Sequence, residues 1–130
     1  MQTGLKLSVV TLAVLITFTL TLPRYIWSKE EPYEEGKGLF QSKGCVGCHT
    51  IGKGKLTGPD LKGVTQRRSE EWLKKWIKSP DTMVFTDPTA KELLKQYLTP
   101  MPNLGLTDEE VNALISYLKH EDSKDTKKGN

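Results

Sequence analysis

The pentapeptide Cys45-Val46-Gly47-Cys48-His49 constrains this chain more than any other feature of its sequence. Its two cysteines are the only ones among 130 residues, and a histidine follows the second directly. This spacing is the attachment signature of a c-type haem, whose two vinyl groups each bond to one thiol. His49 would then be carried beneath the ring with a nitrogen facing the iron. We therefore predict one haem c, bound covalently through Cys45 and Cys48.

Two other kinds of site use cysteines at this spacing. A thioredoxin-like redox pair has both thiols but does not need the histidine. A zinc site needs a fourth ligand, which His120, the only other histidine, is poorly placed to supply. The motif by itself leaves these alternatives open, so the remaining sequence has to decide.

An apolar stretch occupies residues 5–22, with Lys6 as its single charged side chain. As a helix it would be about 27 Å long at about 1.5 Å per residue, close to the ~30 Å of a bilayer core. It is therefore a membrane anchor or the apolar part of a signal peptide. No small-x-small cleavage site follows it, and Tyr25 and Trp27 suit a membrane interface. We therefore predict that residues 1–24 are a membrane anchor or an uncleaved signal.

The remaining sequence predicts one small domain with two appendages. Residues 25–32 form a linker, residues 33–120 the domain, and residues 121–130 a charged tail without aromatics, which we expect to be disordered. The formal net charge is +3, and no long basic run with interleaved aromatics is present. Nucleic acid is therefore not an expected partner.

Capping and proline signals predict an all-α domain. Pro32 suits the first position of one helix, Ser69 caps another, and the pair Asp87-Pro88 opens a third. Thr107 and Glu110 form a capping box before the last helix, whose entry Leu106 and Val111 can staple. The apolar face of the helix after Ser69 comprises Trp72, Leu73, Trp76 and Ile77.

Two methionines are candidates for a second iron ligand. Met101 lies between Pro100 and Pro102, in a segment whose rigidity benefits a ligand that must be held at a fixed reach. Met83, which we expect in the loop after Pro80, is the competing candidate. Because a thioether opposite a histidine is one of a few common haem arrangements, we favour Met101.

Three further features have both a structural and a functional interpretation. The turn at Gly58-Pro59 is either a surface loop or a loop whose backbone carbonyl accepts a hydrogen bond from the N–H of the far nitrogen of His49. Trp72 and Trp76 are core residues, or one of them donates to a haem propionate. Residues 52–78 hold eight basic and three acidic side chains, which are an ordinary solvated surface or a patch that steers an acidic partner.

Taken together, residues 33–119 resemble a class I cytochrome c. The family has a glycine and an aromatic residue four apart before the haem motif, here Gly36 and Phe40. It also has a Gly-Pro pair in the proximal loop, a methionine ligand after a short helix, and a leucine and a tyrosine in the final helix. In this sequence those positions are Gly58 and Pro59, then Met101, then Leu114 and Tyr117.

The resemblance implies thioether bonds at Cys45 and Cys48, His49 as the proximal ligand and Met101 as the distal one. It further implies an electron carrier on the periplasmic or extracytoplasmic side of a membrane, with redox proteins as partners and no small-molecule substrate. We expect a membrane-tethered carrier that serves a terminal reductase or oxidase. The alternatives are a permanent subunit of a membrane complex, and a sensor or enzyme whose methionine dissociates. No role is predicted for residues 79–99.

Overall fold

The computed structural model describes residues 31–126, which fold into helices joined by loops. We number the helices α1 (Pro32–Ser42), α2 (Val64–Arg67), α3 (Glu70–Lys78), α4 (Pro80–Thr86), α5 (Pro88–Tyr97) and α6 (Asp108–Thr126), with a 3-10 turn at Cys45–Gly47. Within this range the chain contains no strand. The predicted all-α class is confirmed.

Helices α1 and α6 cross at very short range. Gly36 is buried against α6, and a Cβ atom placed on it would lie 2.0 Å from the backbone oxygen of Ala113. The rings of Phe40 and Tyr117 pack with their centroids 5.6 Å apart. Only a glycine permits this approach, so the lack of a side chain at Gly36 is what allows the two helices to cross closely.

The main core forms where α1, α3 and α6 meet. Its buried side chains come from all three helices and from the segment just before α6. They are Phe40, Leu73, Leu106, Val111, Leu114 and Ile115. This cluster fixes the three helices relative to one another, and with them the loops that they carry.

The predicted helix starts agree with the structure. The side chains of Ser69 and Asp87 each accept a backbone N–H from the first turn of their helix. The backbone N–H of Thr107 donates to Glu110 at 2.9 Å, and the N–H of Glu110 donates to the Thr107 hydroxyl at 3.2 Å. The capping box is therefore formed as predicted.

Residues 79–99, for which the sequence predicted no role, fold into α4 and α5. Met83 was expected in a loop but lies in α4, because Pro80 occupies the first turn of a new helix as well as ending α3. Both Met83 and Val84 are buried. The segment thus adds a second layer of packing beside α3.

The predicted disorder from residue 121 is wrong for the first part of that tail. Helix α6 continues to Thr126, and Asp122 is 4% exposed. Its carboxylate accepts hydrogen bonds from the N–H groups of Gly63 and Thr65 and from the Thr65 hydroxyl, at 2.6 to 3.0 Å. These bonds give the charged segment a tertiary partner at the start of α2, which composition alone does not reveal.

The predicted membrane segment, residues 1–24, lies outside the described residues, as does most of the predicted linker. Among residues 31–126, every helix is too short or too polar to traverse a bilayer.

Candidate haem-binding site

A cavity of about 310 Å³ brings the four predicted site residues together. Cys45, Cys48, His49 and Met101 all line it. Its walls are mainly apolar and come from all six helices and the loops between them. They include Trp72, Leu73, Trp76, Leu93, Leu94, Tyr97, Leu106 and Leu114. The sequence motif and the methionine loop therefore open onto one apolar space.

The 3-10 turn presents the two thiols at one edge of this cavity. The turn begins after Gly44, whose φ of 77° suits glycine, and the N–H of His49 donates to the Cys45 carbonyl at 2.9 Å. The two sulfur atoms are not bonded to each other, so both thiols are available. Burial raises the pKa of the Cys45 thiol. The turn therefore holds two unbonded thiols and no disulfide.

His49 is oriented by the loop that follows it. Its Nδ1 lies 2.9 Å from the carbonyl oxygen of Pro59. Since a carbonyl can only accept, the Nδ1–H donates, and Nε2 keeps its lone pair for a metal. The predicted bond from His49 to a backbone carbonyl of the Gly-Pro loop is confirmed.

Gly58 lets that loop approach the imidazole closely. A Cβ atom at this position would lie 2.6 Å from His49 Cε1 and 2.9 Å from Nδ1. The Gly58 N–H also donates to the Cys48 carbonyl at 2.8 Å. A larger residue here would displace the ring, so the glycine and the proline carbonyl together set the position of His49.

Asp60 fastens the same loop, a role that the sequence analysis missed. Its carboxylate accepts three backbone N–H groups, from Gly52 at 2.8 Å, Gly54 at 2.6 Å and Lys62 at 2.8 Å. These bonds, led by the one from Gly52, lower the pKa of Asp60 to about 2. The sequence did contain a signal for this role: Asp60 follows Gly52 and Gly54, and backbone amides near glycines can turn toward a carboxylate.

Only one of the two candidate methionines is present among the residues that line the cavity. Met101 lines the cavity, whereas Met83 is buried in α4 outside the lining. Two residues after Met101, the side-chain amide of Asn103 donates to Asp81 Oδ1 at 2.9 Å, and its oxygen accepts the Gly105 N–H at 3.0 Å. The loop that carries Met101 is therefore attached to α4.

The paired tryptophans stack on each other and line the cavity. Their ring centroids lie 5.6 Å apart, and the Arg68 guanidinium lies 5.5 Å from the Trp72 ring. The Trp72 indole N–H is buried and makes no hydrogen bond of normal geometry among the described residues. It lies near Asp87, whose pKa is lowered first by the Ala90 N–H and further by this indole. Donation to a propionate stays a prediction.

Part of the predicted basic patch is neutralised locally. Lys74 pairs with Glu70 at 2.8 Å, and Lys78 pairs with Asp108. Lys119 and Lys74 together lower the pKa of Glu70 to about 2. The excess positive charge at the end of α3 is therefore smaller than the sequence suggests.

The residues that line the cavity fit a haem c. Two free thiols, an imidazole with an unprotonated Nε2 and a thioether are the donors that this group uses. The lining is predominantly apolar, as is usual for sites that enclose a cofactor. Among the described residues, no other cluster of histidine, cysteine and carboxylate side chains could hold a metal ion. The donor set therefore matches haem attachment better than a zinc site.

Known proteins with similar sequences and folds agree with this geometry. The family model for cytochrome c matches residues 33–122. A nitric oxide reductase subunit from Paracoccus denitrificans is 30% identical over 123 residues, which cover 81% of this chain and 75% of that protein. Cytochrome c oxidase subunit 2 of Alkalihalophilus pseudofirmus is 28% identical over 69% of this chain, but this match covers only 27% of that protein.

The solved cytochrome c from Rhodothermus marinus superposes with a TM-score of 0.68 at 28% identity, covering 72% of this chain and 78% of that one. The helical order, the cysteine motif and the cavity agree with this likeness. The chain belongs to the class I cytochromes c, carries a covalently attached haem c and functions in electron transfer.

Proposed function

We propose that this protein is a membrane-tethered cytochrome with one haem, which exchanges single electrons with a respiratory terminal reductase or oxidase. Cys45 and Cys48 form the thioether bonds, His49 is the proximal iron ligand and Met101 is the distal ligand. Residues 1–24 anchor the chain, and the haem domain faces the periplasmic or extracytoplasmic side.

One observation carries the ligand assignment: Met101 and His49 line the same apolar cavity, and Met83 does not. If His49 and Met101 both bind the iron, no position would remain there for a substrate. Haem iron supplies the chemistry by alternating between its ferric and ferrous states. The surrounding side chains exclude water, and a dry pocket with a thioether ligand favours the ferrous state.

The protein's own contribution is to hold the ligands still. The Pro59 carbonyl fixes the tautomer of His49, and Asp60 holds the loop that carries this carbonyl. Because these bonds would keep the His49 ring in one position, one-electron exchange with a docked partner would need little movement of this residue. This is the behaviour expected of a carrier.

Optical spectroscopy of the purified protein tests the ligand assignment. The ferric form should show the weak red-region band of sulfur-to-iron ligation. We expect Met101→Ala to abolish this band and Met83→Ala, the matched control, to leave it. A band that is absent from the wild type, or that survives Met101→Ala, would exclude Met101 as the ligand. Carbon monoxide binding to the reduced native protein would favour the sensor or enzyme alternative.

A second candidate function is a permanent subunit of a larger membrane complex. It is favoured by the match to the Paracoccus nitric oxide reductase subunit, which extends over three quarters of that protein's length. Extraction in mild detergent distinguishes the two. A free carrier elutes alone and contains one haem, whereas a subunit elutes with stoichiometric partners. Fractionation of the full chain into membrane and soluble pools tests the anchor, and release of all the haem protein into the soluble pool would refute it.

A further inference from the structure

The loop that carries Met101 has very little backbone support. Residues 99–106 make no backbone–backbone hydrogen bond to any described residue. Two of these residues, Pro100 and Pro102, have no N–H to donate. Most of the loop is exposed to solvent, although Met101 itself is half-buried. Backbone bonding therefore does not explain how the thioether is held.

Asn103 supplies a connection that the backbone lacks. Its amide nitrogen donates to Asp81 in the first turn of α4, and its amide oxygen accepts the Gly105 N–H. The second bond closes a turn in which Gly105 has a φ of 63°. Because both ends of the amide are engaged, Asn103 joins a rigid turn to a helix, two residues from Met101.

Helix α4 is a firm attachment point. Pro80, Met83 and Val84 are buried, which leaves Asp81 on the outer side of a packed helix. An acceptor on such a helix moves less than one on a loop. The bond from Asn103 to Asp81 therefore restricts the loop relative to the domain, and not only within itself.

We propose that Asn103 is a positioning residue for Met101, and that its bond to Asp81 slows the departure of the thioether from the iron. This inference rests on the proposed ligation by Met101. It also assigns a role to α4, since this helix provides the acceptor. The role proposed for Asn103 is to lengthen the time for which the Met101 thioether stays bound.

The displacement of Met101 by imidazole in the ferric holoprotein measures this role directly. Asp81→Ala removes the bond to α4 and leaves the turn at Gly105. Asp81→Asn removes the same negative charge but keeps an oxygen that can accept from Asn103. Glu92→Ala, on the exposed side of α5, is the control for loss of a surface carboxylate.

We expect Asp81→Ala and Asn103→Ala each to accelerate imidazole binding by about threefold to tenfold, which is the effect of losing one partly exposed hydrogen bond. Asp81→Asn and Glu92→Ala should stay within about twofold of the wild type. Asp81→Ala and Asn103→Ala both remove the bond between these two side chains. The double variant should therefore bind imidazole at about the same rate as the faster of the two single variants.

Equal rates in the wild type, Asp81→Ala and Asn103→Ala would overturn the inference. Asp81→Asn as fast as Asp81→Ala would overturn it too, since charge and not the hydrogen bond would then be responsible. The sulfur-to-iron band separates this failure from failure of the proposed ligation. If the wild type lacks the band, Met101 is not the ligand; if the band is present and the rates are equal, Asn103 does not position it.

Discussion

Asp60 allows the most quantitative prediction. At neutral pH its ionised carboxylate accepts three backbone N–H groups, so the folded protein holds the charged form. The pKa of this group falls from 3.8 to about 2 on folding. A lowered pKa means that the stabilisation is fully present above pH 4 and is lost as the pH falls through 2.

The size of the effect follows from the shift. At about 1.4 kcal/mol per pKa unit, a fall from 3.8 to about 2 corresponds to at most about 2.5 kcal/mol. Asp60 is only half-buried, and solvent screens part of this interaction. We therefore expect Asp60→Asn to lower the free energy of unfolding by about 1 kcal/mol at pH 7.

Guanidinium unfolding of the holoprotein, followed by circular dichroism, measures this difference at pH 7, 4, 3 and 2. The gap between wild type and Asp60→Asn should be constant from pH 7 to 4 and close toward pH 2. Glu109→Gln, an exposed position on α6, should show no such gap. A gap that is unchanged at pH 2 would show that Asp60 acts through shape and not through its charge.

Three further predictions use the same unfolding assay or proton titration. Gly36→Ala should lower the free energy of unfolding by about 3 kcal/mol because the added Cβ overlaps α6. Gly38→Ala, in open space on the same helix, should raise it by about 0.5 to 1 kcal/mol. If the two substitutions change the free energy of unfolding by similar amounts, the close crossing of α1 and α6 is refuted. Asp122→Ala should cost about 2 to 4 kcal/mol because three donors lose their acceptor, and a cost below about 0.5 kcal/mol would contradict this. Lys119→Met should raise the pKa of Glu70 from about 2 toward 4.5 in an NMR titration, while an unchanged value would assign the shift to Lys74 alone.

Local sequence signals predicted much of the fold and the composition of the site. The helix starts at Ser69, Asp87 and Thr107 depend on side chains that form hydrogen bonds within a few residues. They can therefore be predicted from the local sequence. The bond from His49 to the Gly-Pro loop was predictable for a similar reason. A histidine that binds iron through one nitrogen needs an acceptor for the N–H of the other nitrogen. The Gly-Pro loop, ten residues further along the chain, is close enough to supply it.

Apart from the local bonds of Asp60, the contacts that sequence reasoning missed join residues far apart in the chain. Asp122 accepts hydrogen bonds from Gly63 and Thr65, which lie more than fifty residues earlier in the chain. Nothing in the sequence of the charged tail predicts these partners. Asn103 and Asp81 are likewise ordinary polar residues until the fold brings them together. Their roles depend on tertiary placement, which composition and periodicity do not encode.

The crossing of α1 and α6 has a consequence for how the protein matures. Gly36 and Ala113 lie near opposite ends of the domain, so their contact cannot form until the last helix has been made. Until then, the thiols of Cys45 and Cys48 belong to an open chain. A maturation enzyme that adds haem early would meet an accessible turn, whereas one that acts late would have to work on a closed cavity. Packing of the final helix against α1 therefore sets how long the motif stays in an open chain.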